Sequence, residues 1–268
     1  MRSGDLAVVG GGIVGLAFAL AYARRGRKVT LFERTDFAVG ASARNFGMVW
    51  PIGQPLGPAH DRALRGREIW LEVIARAGLW HSAAGALLLA YAEDEMEVLR
   101  EYLRLAGAES SGRELLGAQT ALERASLARR EGLRGGLWSP TEINVDPREV
   151  LRRVPLMLER DFGVELRYGE CVRDIALPSF STSREDWRFA QAVVCSGADF
   201  ETLFPKAFAN AGLIRCKLQM LRTLPQPPRW AVGPALCAGL TLAHYESFRD
   251  CPSQSELPLS SIERAQQQ

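Results

Sequence analysis

The sequence has little that would support a metal centre or a disulfide framework. Its five cysteines include no Cys-x-x-Cys pair, and its three histidines, His60, His81 and His244, are not spaced as a ligand pair. Zinc sites and disulfide-rich folds normally show such spacings. We therefore expect no metal site, free thiols and a reducing, cytoplasmic location.

Neither sign of charge dominates the chain, and no long apolar run occurs. The 33 basic and 31 acidic side chains leave a net charge of +2, which argues against a nucleic-acid partner. Residues 6–20 are apolar but too short to span a bilayer, and their four glycines suit a turn better than a targeting helix. We expect no membrane span and a small-molecule partner.

The N-terminal residues predict a strand, a tight turn, a helix and a second strand. Residues 6–9 form a short apolar run that ends in three glycines, as in a buried parallel strand. Residues 13–25 are rich in Ala and Leu and stop at Gly26, a common helix terminator. Residues 28–32 predict the second strand, so a β-α-β unit begins the chain.

A dinucleotide-binding pattern lies within this unit. Gly10 permits the tight turn, Gly12 allows close approach of a pyrophosphate, and Gly15 allows close packing of helix on strand. The helix N-terminus offers amides and a positive dipole end to phosphate. Glu33, at the end of the second strand, suits the ribose hydroxyls and disfavours a 2′-phosphate. The pattern alone does not separate NAD from FAD.

The next loop carries a resemblance to a known family. Residues 40–48, Gly-Ala-Ser-Ala-Arg-Asn-Phe-Gly-Met, resemble the loop that passes along the pyrophosphate and ribityl chain in D-amino-acid-oxidase-like FAD-dependent oxidoreductases (glycine oxidase, sarcosine oxidase, D-amino-acid dehydrogenase). A cation, a hydroxyl and an amide between glycines also suit such contacts. The resemblance implies FAD as cofactor, bound by Gly10, Gly12, Ile13, Val14, Gly15, Glu33, Arg34, Ser42, Arg44, Asn45, Phe46, Gly47, Met48, Val172, Ser196 and Gly197.

Later segments extend the resemblance. Residues 144–147 are similar to the family's entry into a helix that returns from the substrate domain, and Val172 occupies the position whose backbone contacts the adenine. Residues 192–198 look like the strand and glycine that approach FAD again. Residues 217–219 are similar to a Lys-Gly-Gln motif of the family but lack its central glycine.

The implied fold class is α/β, in which a Rossmann-like FAD-binding domain with a parallel sheet is interleaved with an α+β substrate domain of mostly antiparallel sheet. We expect residues 1–84 and 145–214 to form the FAD-binding domain. Residues 85–144 and 215–250 would form part of the substrate domain. The polar residues 251–268 are expected to be a disordered tail.

Further elements are predicted from local patterns. Residues 61–77 and 93–106 are expected to be helices with a strand at 86–91 between them. Asp146 is followed by Pro and Glu in the arrangement of a helix start. Pro155 should kink or break that helix, and nothing in the sequence explains it.

The resemblance implies oxidation of a C–N bond in a small amine or amino acid to an imine, by hydride transfer to the flavin. Residues 45–55 and 240–248 look closest to a clade found beside phosphonate-degradation genes, so aminophosphonates are the expected substrates. The electron acceptor is oxygen or unknown. No catalytic side chain is identified, since hydride transfer requires no protein base. Trp50, Gln54, His244 and Tyr245 are substrate-site candidates.

Two alternatives stay open. Family members extend further toward the C terminus, where a glycine-and-helix segment caps the flavin, so we expect this chain to be truncated relative to them. A truncated, non-catalytic nucleotide-binding relative is therefore one alternative. A NAD-dependent dehydrogenase is the other, although the loop at 42–48 is atypical for it.

Overall fold

A computed structural model of the chain describes residues 2–107, 112–217, 219–227 and 233–257. The strands in these ranges are β1 (Arg2–Val9), β2 (Val29–Glu33), β3 (Met48–Val49), β4 (His81–Ser82), β5 (Ala86–Ala90), β6 (Glu114–Gly117), β7 (Gly135–Ser139), β8 (Ile143–Val145), β9 (Glu165–Tyr168), β10 (Val172–Ala176), β11 (Ser179–Thr182), β12 (Asp186–Val194) and β13 (Ala235–Cys237). The α-helices are α1 (Ile13–Ala23), α2 (Pro58–Ala77), α3 (Glu93–Ala106), α4 (Ala118–Arg124), α5 (Pro147–Phe162), α6 (Pro205–Asn210) and α7 (Leu240–His244). No helix in these ranges is both long and apolar enough to cross a bilayer.

The chain forms two compact units. The first contains Met1–Gly47, Val73–Trp80 and Asp146–Arg222, and the second contains Met48–Glu72, His81–Val145 and Thr223–Gln268. The structure thus places residues 48–72 in the second unit, whereas the sequence predicts them in the FAD-binding domain. The reason is strand pairing, because β3 is antiparallel to β8 of the second unit.

The first unit is built on a six-stranded sheet in the order β10-β11-β12-β1-β2-β9. The strands β12, β1, β2 and β9 are parallel, while β10 and β11 extend the sheet as an antiparallel hairpin. Strand β12 begins at Asp186, six residues before the predicted strand at 192. Its alternating Trp187 and Phe189 are buried with Phe32 and Phe180, whose rings lie 5.0 Å apart.

Helix α5 continues through Pro155, so the predicted break is wrong. Asp146 caps the helix by accepting the amide of Arg148 at 2.8 Å, and Gly163 ends it with φ of +65°. The ring of Pro155 is buried on the same apolar face as Val154 and Leu158. Burial of that face stabilises the helix against the loss of one backbone hydrogen bond.

The second unit is built on a four-stranded, mostly antiparallel sheet in the order β13-β5-β7-β6. Helix α3 buries Met96 and Leu99 against it, as predicted. The α/β fold class, with a sheet containing parallel strands, is confirmed.

The predicted disordered tail is wrong over residues 251–257. Pro252–Glu256 form a 3-10 helix, and Cys251 and Leu257 are buried in the core beside α3. Ser253 donates its amide and its hydroxyl to Glu101 of α3, each at 2.9 Å. These contacts pair most of the polar groups that suggested a tail. The rest of the predicted tail, 258–268, lies outside the described residues.

Candidate functional site

The carboxyl ends of three neighbouring parallel strands meet in the first unit. The turn after β1 lies beside Cys195, which follows β12, because Cys195 donates its amide to Val9 at 2.7 Å. The amide of Gly10 donates to Phe32 of β2 at 2.8 Å. Ligands of open α/β sheets bind at such strand ends.

The glycines of the turn are required by close backbone contacts. Gly10 has φ of +108°, and a Cβ there would lie 2.3 Å from the carbonyl oxygen of Cys195. A Cβ on Gly15 would lie 1.9 Å from the carbonyl oxygen of Gly10. Both positions exclude a side chain, as the sequence pattern predicts.

The N-terminus of α1 is arranged to receive an anion. Gly12 is its N-cap and provides no side-chain cap, and the first turn contains no acidic residue. Ser42, from the 3-10 helix Ala41–Arg44, accepts the amide of Ile13 through its hydroxyl at 3.1 Å. The helix end and the Ser42 hydroxyl therefore lie together, which fits the pyrophosphate of a dinucleotide.

Glu33 is buried at the end of β2 and is held by the glycine turn. One carboxylate oxygen accepts the amide of Gly11 at 2.9 Å, and the other accepts the amide and hydroxyl of Thr35 at 3.1 and 2.7 Å. Each oxygen has a second lone pair for a ribose hydroxyl. The residues present therefore fit a pyrophosphate and a ribose at adjoining positions.

The structure places the other predicted cofactor residues less uniformly. Arg34 pairs with Asp199 at 2.6 Å, and Ser196 donates its hydroxyl to the carbonyl of Asp199 at 3.0 Å. Desolvation opposes the charge of Asp199, but hydrogen bonds from Thr202 and Glu201 and the charge of Arg34 leave its pKa lowered. Sequence reasoning did not identify Asp199 as the residue that holds this turn.

The remaining residues divide by exposure. Val14, Arg44, Asn45 and Phe46 are exposed, Val172 is buried in the core, and Gly47 and Gly197 have φ of +75° and +62°. Asn45 accepts the amide of Gly47 at 3.0 Å, which closes the loop. Met48 belongs to the second unit.

Tyr168 is a further residue that sequence reasoning missed. It is the register partner of Glu33 across β2 and β9. Its hydroxyl is buried and has no hydrogen-bond partner among the described residues. Burial, and then the negative charge of Glu33, raise the pKa of Tyr168 from 10.0 to about 12.

This raised pKa predicts an alkaline loss of stability. The contribution of neutral Tyr168 is fully present below pH 10.0, the unfolded value, and is lost as the pH rises through about 12. We expect the free energy of unfolding to fall by about 1–2 kcal/mol across this window, after allowance for solvent screening. Urea unfolding at about pH 9 and about pH 11 measures the fall.

The control for this prediction is a second tyrosine. Tyr168→Phe should remove the alkaline fall, and Tyr22→Phe, near the end of α1, should retain it. An identical fall in the two variants would contradict the assignment to Tyr168.

The predicted substrate residues all lie in the second unit. Trp50 and Gln54 line one cavity together with Met48. The ring of Tyr245 lies 6.4 Å from that of Trp50, so it supports the cavity wall. His244 is exposed at the end of α7 and does not line this cavity. In the described residues no group of three or more His, Cys, Asp or Glu side chains could hold a metal ion.

Comparison with known proteins identifies the family. Residues 5–245 match the family described as DAO, FAD dependent oxidoreductase. The chain belongs to this family. The cofactor of the family is therefore FAD, and the glycine turn, Ser42 and Glu33 are placed where they fit it.

Individual relatives are distant. The chain is 26% identical over 263 residues to an opine oxidase polypeptide of Agrobacterium tumefaciens (strain Ach5), covering 89% of this chain and 67% of the relative. Glycine oxidase from Geobacillus kaustophilus is similar in structure, with a TM-score of 0.67 and 23% identity over 77% of this chain and 59% of that one. L-proline dehydrogenase from P. horikoshii gives 0.71 and 20% identity over 88% of this chain and 64% of that one. The chain thus spans about three-fifths to two-thirds of these relatives.

Proposed function

We propose that the chain is part of an FAD-dependent oxidoreductase that oxidises the C–N bond of a small amine or amino acid to an imine. The observation that carries the proposal is the joint placement of the α1 N-terminus, the glycine turn and Glu33 at the ends of β1 and β2. The family match supports the cofactor, and relatives named for glycine and L-proline support a substrate with an amino group.

The residues have separate roles in this proposal. Gly12, Ile13 and Ser42 hold the pyrophosphate, Glu33 holds the adenosine ribose, and Gly197 brings backbone near the cofactor. FAD, when bound, supplies the acceptor for two electrons from the carbon beside the nitrogen. The protein contributes orientation, and a cationic side chain is needed for the substrate's anionic end.

Aminophosphonates are our finer candidate for the substrate, with oxygen as the candidate acceptor. The resemblance at residues 45–55 and 240–248 supports this choice over a simple amino acid. A screen of aminophosphonates against amino acids, read as bleaching of the flavin spectrum without oxygen, would decide between them. Bleaching by amino acids alone would overturn the finer assignment.

The first test is the visible absorption spectrum of the purified chain with and without added FAD, followed by heat release of the flavin. We expect a two-peaked flavin spectrum at near-stoichiometric occupancy. A colourless protein that FAD neither colours nor stabilises would contradict the proposal for this chain. A bound flavin that no amine reduces would favour the non-catalytic alternative.

A further inference from the structure

A cavity of about 490 Å³ lies between the segment 48–54 and one face of α2. The helix lines it with residues spaced by three or four positions, which are Ala59, Arg62, Ala63, Gly66 and Trp70. Three of these side chains are small or absent, and this leaves the space. Sites for small ligands typically have volumes of about 300–1,000 Å³, so the cavity is large enough for a small molecule.

The facing segment is held in place from behind. Glu142 is fully buried and accepts the amide of Ile52 at 3.0 Å. A Cβ on Gly53 would lie 2.3 Å from the ring of Trp50 and 2.8 Å from that of Tyr245. The segment therefore has little freedom, and the wall formed by Trp50 is fixed before any ligand arrives.

Arg62 is the only charged residue among those that line the cavity. Within the ranges that the structure describes it makes no ion pair or side-chain hydrogen bond. Its neighbour Arg67, by contrast, donates its Nε to the carbonyl of Thr141 at 2.6 Å. The Arg62 guanidinium thus keeps its donors for a ligand in a space walled by Trp50 and Trp70.

We propose that Arg62 binds the anionic end of the substrate, a carboxylate or a phosphonate, while Trp50 and Trp70 contact its apolar part. A guanidinium presents a planar pair of donors that matches the oxygens of either group. The inference rests on the proposed function, and it assigns the cation that the sequence alone leaves open.

The test uses the full chain incubated with FAD and measures ligand affinity by titration calorimetry. The probes are benzoate, phenylphosphonate and the neutral analogue benzamide. Arg62→Ala should weaken binding of the anions by about tenfold or more, with little effect on benzamide, because a charge-assisted hydrogen bond is lost. Arg65→Ala is the matched control, since Arg65 is on the same helix but outside the cavity lining.

Several results would overturn the inference. The wild-type chain could bind neither anion, Arg62→Ala could bind both as wild type does, or Arg65→Ala could lose as much affinity as Arg62→Ala. Tighter binding of phenylphosphonate than of benzoate, or the reverse, supports the inference and identifies the preferred anion. The flavin spectrum of each variant is recorded separately, so failure to bind FAD is distinguishable from failure to bind an anion at Arg62.

Discussion

Gly15→Val is expected to leave the chain colourless after incubation with FAD and to lower its free energy of unfolding by about 3 kcal/mol or more. A Cβ at this position would lie 1.9 Å from the carbonyl oxygen of Gly10 and 3.3 Å from Cγ1 of Val8. The first contact is with backbone, which cannot move without displacing the turn between β1 and α1. The displaced turn would no longer present the α1 N-terminus and Ser42 to a pyrophosphate. Flavin absorbance after gel filtration and urea unfolding measure the two effects.

Gly40→Ala is the matched control for this substitution. Gly40 precedes the 3-10 helix of Ser42 with φ of −74°, and a Cβ there would meet no atom within 4 Å. We expect this variant to bind FAD and unfold as wild type does. If Gly15→Val also kept both properties, the close contact would not be what requires glycine, and the proposed pyrophosphate site would lose its main support.

The elements that carry the cofactor pattern could be predicted from sequence because local features specify them. The predicted strand at 6–9, helix at 13–25 and strand at 28–32 correspond to Arg2–Val9, Ile13–Ala23 and Val29–Glu33. Apolar runs and glycines at fixed positions predict these elements without knowledge of distant contacts.

The edge of the same sheet was harder to predict. The hairpin of β10 and β11 and the first half of β12 contain exposed polar residues between their buried aromatic ones. Phe180, Trp187 and Phe189 have the alternation of a strand, but their burial depends on Phe32, about 150 residues earlier in the chain. Tertiary packing therefore decides this part of the sheet.

The candidate site shows the same division. The positions of Gly10, Gly12 and Glu33 follow from a motif, whereas the cavity follows from packing. Trp50 and Trp70 line one space only because residues 48–54 pack on a face of α2 whose small residues leave room. No local pattern indicates that Arg62 faces this space while Arg65 does not.

Glu170→Ala is expected to destabilise the first unit by about 3 kcal/mol, although Glu170 touches no proposed ligand. Its carboxylate is fully buried and accepts Nε of Arg167 at 2.9 Å and the hydroxyl of Thr182 at 2.7 Å. Removal leaves a cavity and takes a charged acceptor away from both donors. The amide of Glu170 also donates to the carbonyl of Glu33 at 3.0 Å, so the loss should reach the proposed ribose site. Urea unfolding and FAD titration measure both effects.

Glu201→Ala tests whether burial, rather than the ion pair itself, is the cause. Glu201 also pairs with an arginine, Arg215, at 2.6 Å, but both side chains are exposed. An exposed pair is screened by water and loses side-chain entropy when it forms, so little change in stability is expected. Equal losses in the two variants would contradict the argument from burial. A loss confined to Glu170→Ala would show that a buried carboxylate between two strands, which no sequence motif marks, stabilises the end of β2 where Glu33 lies.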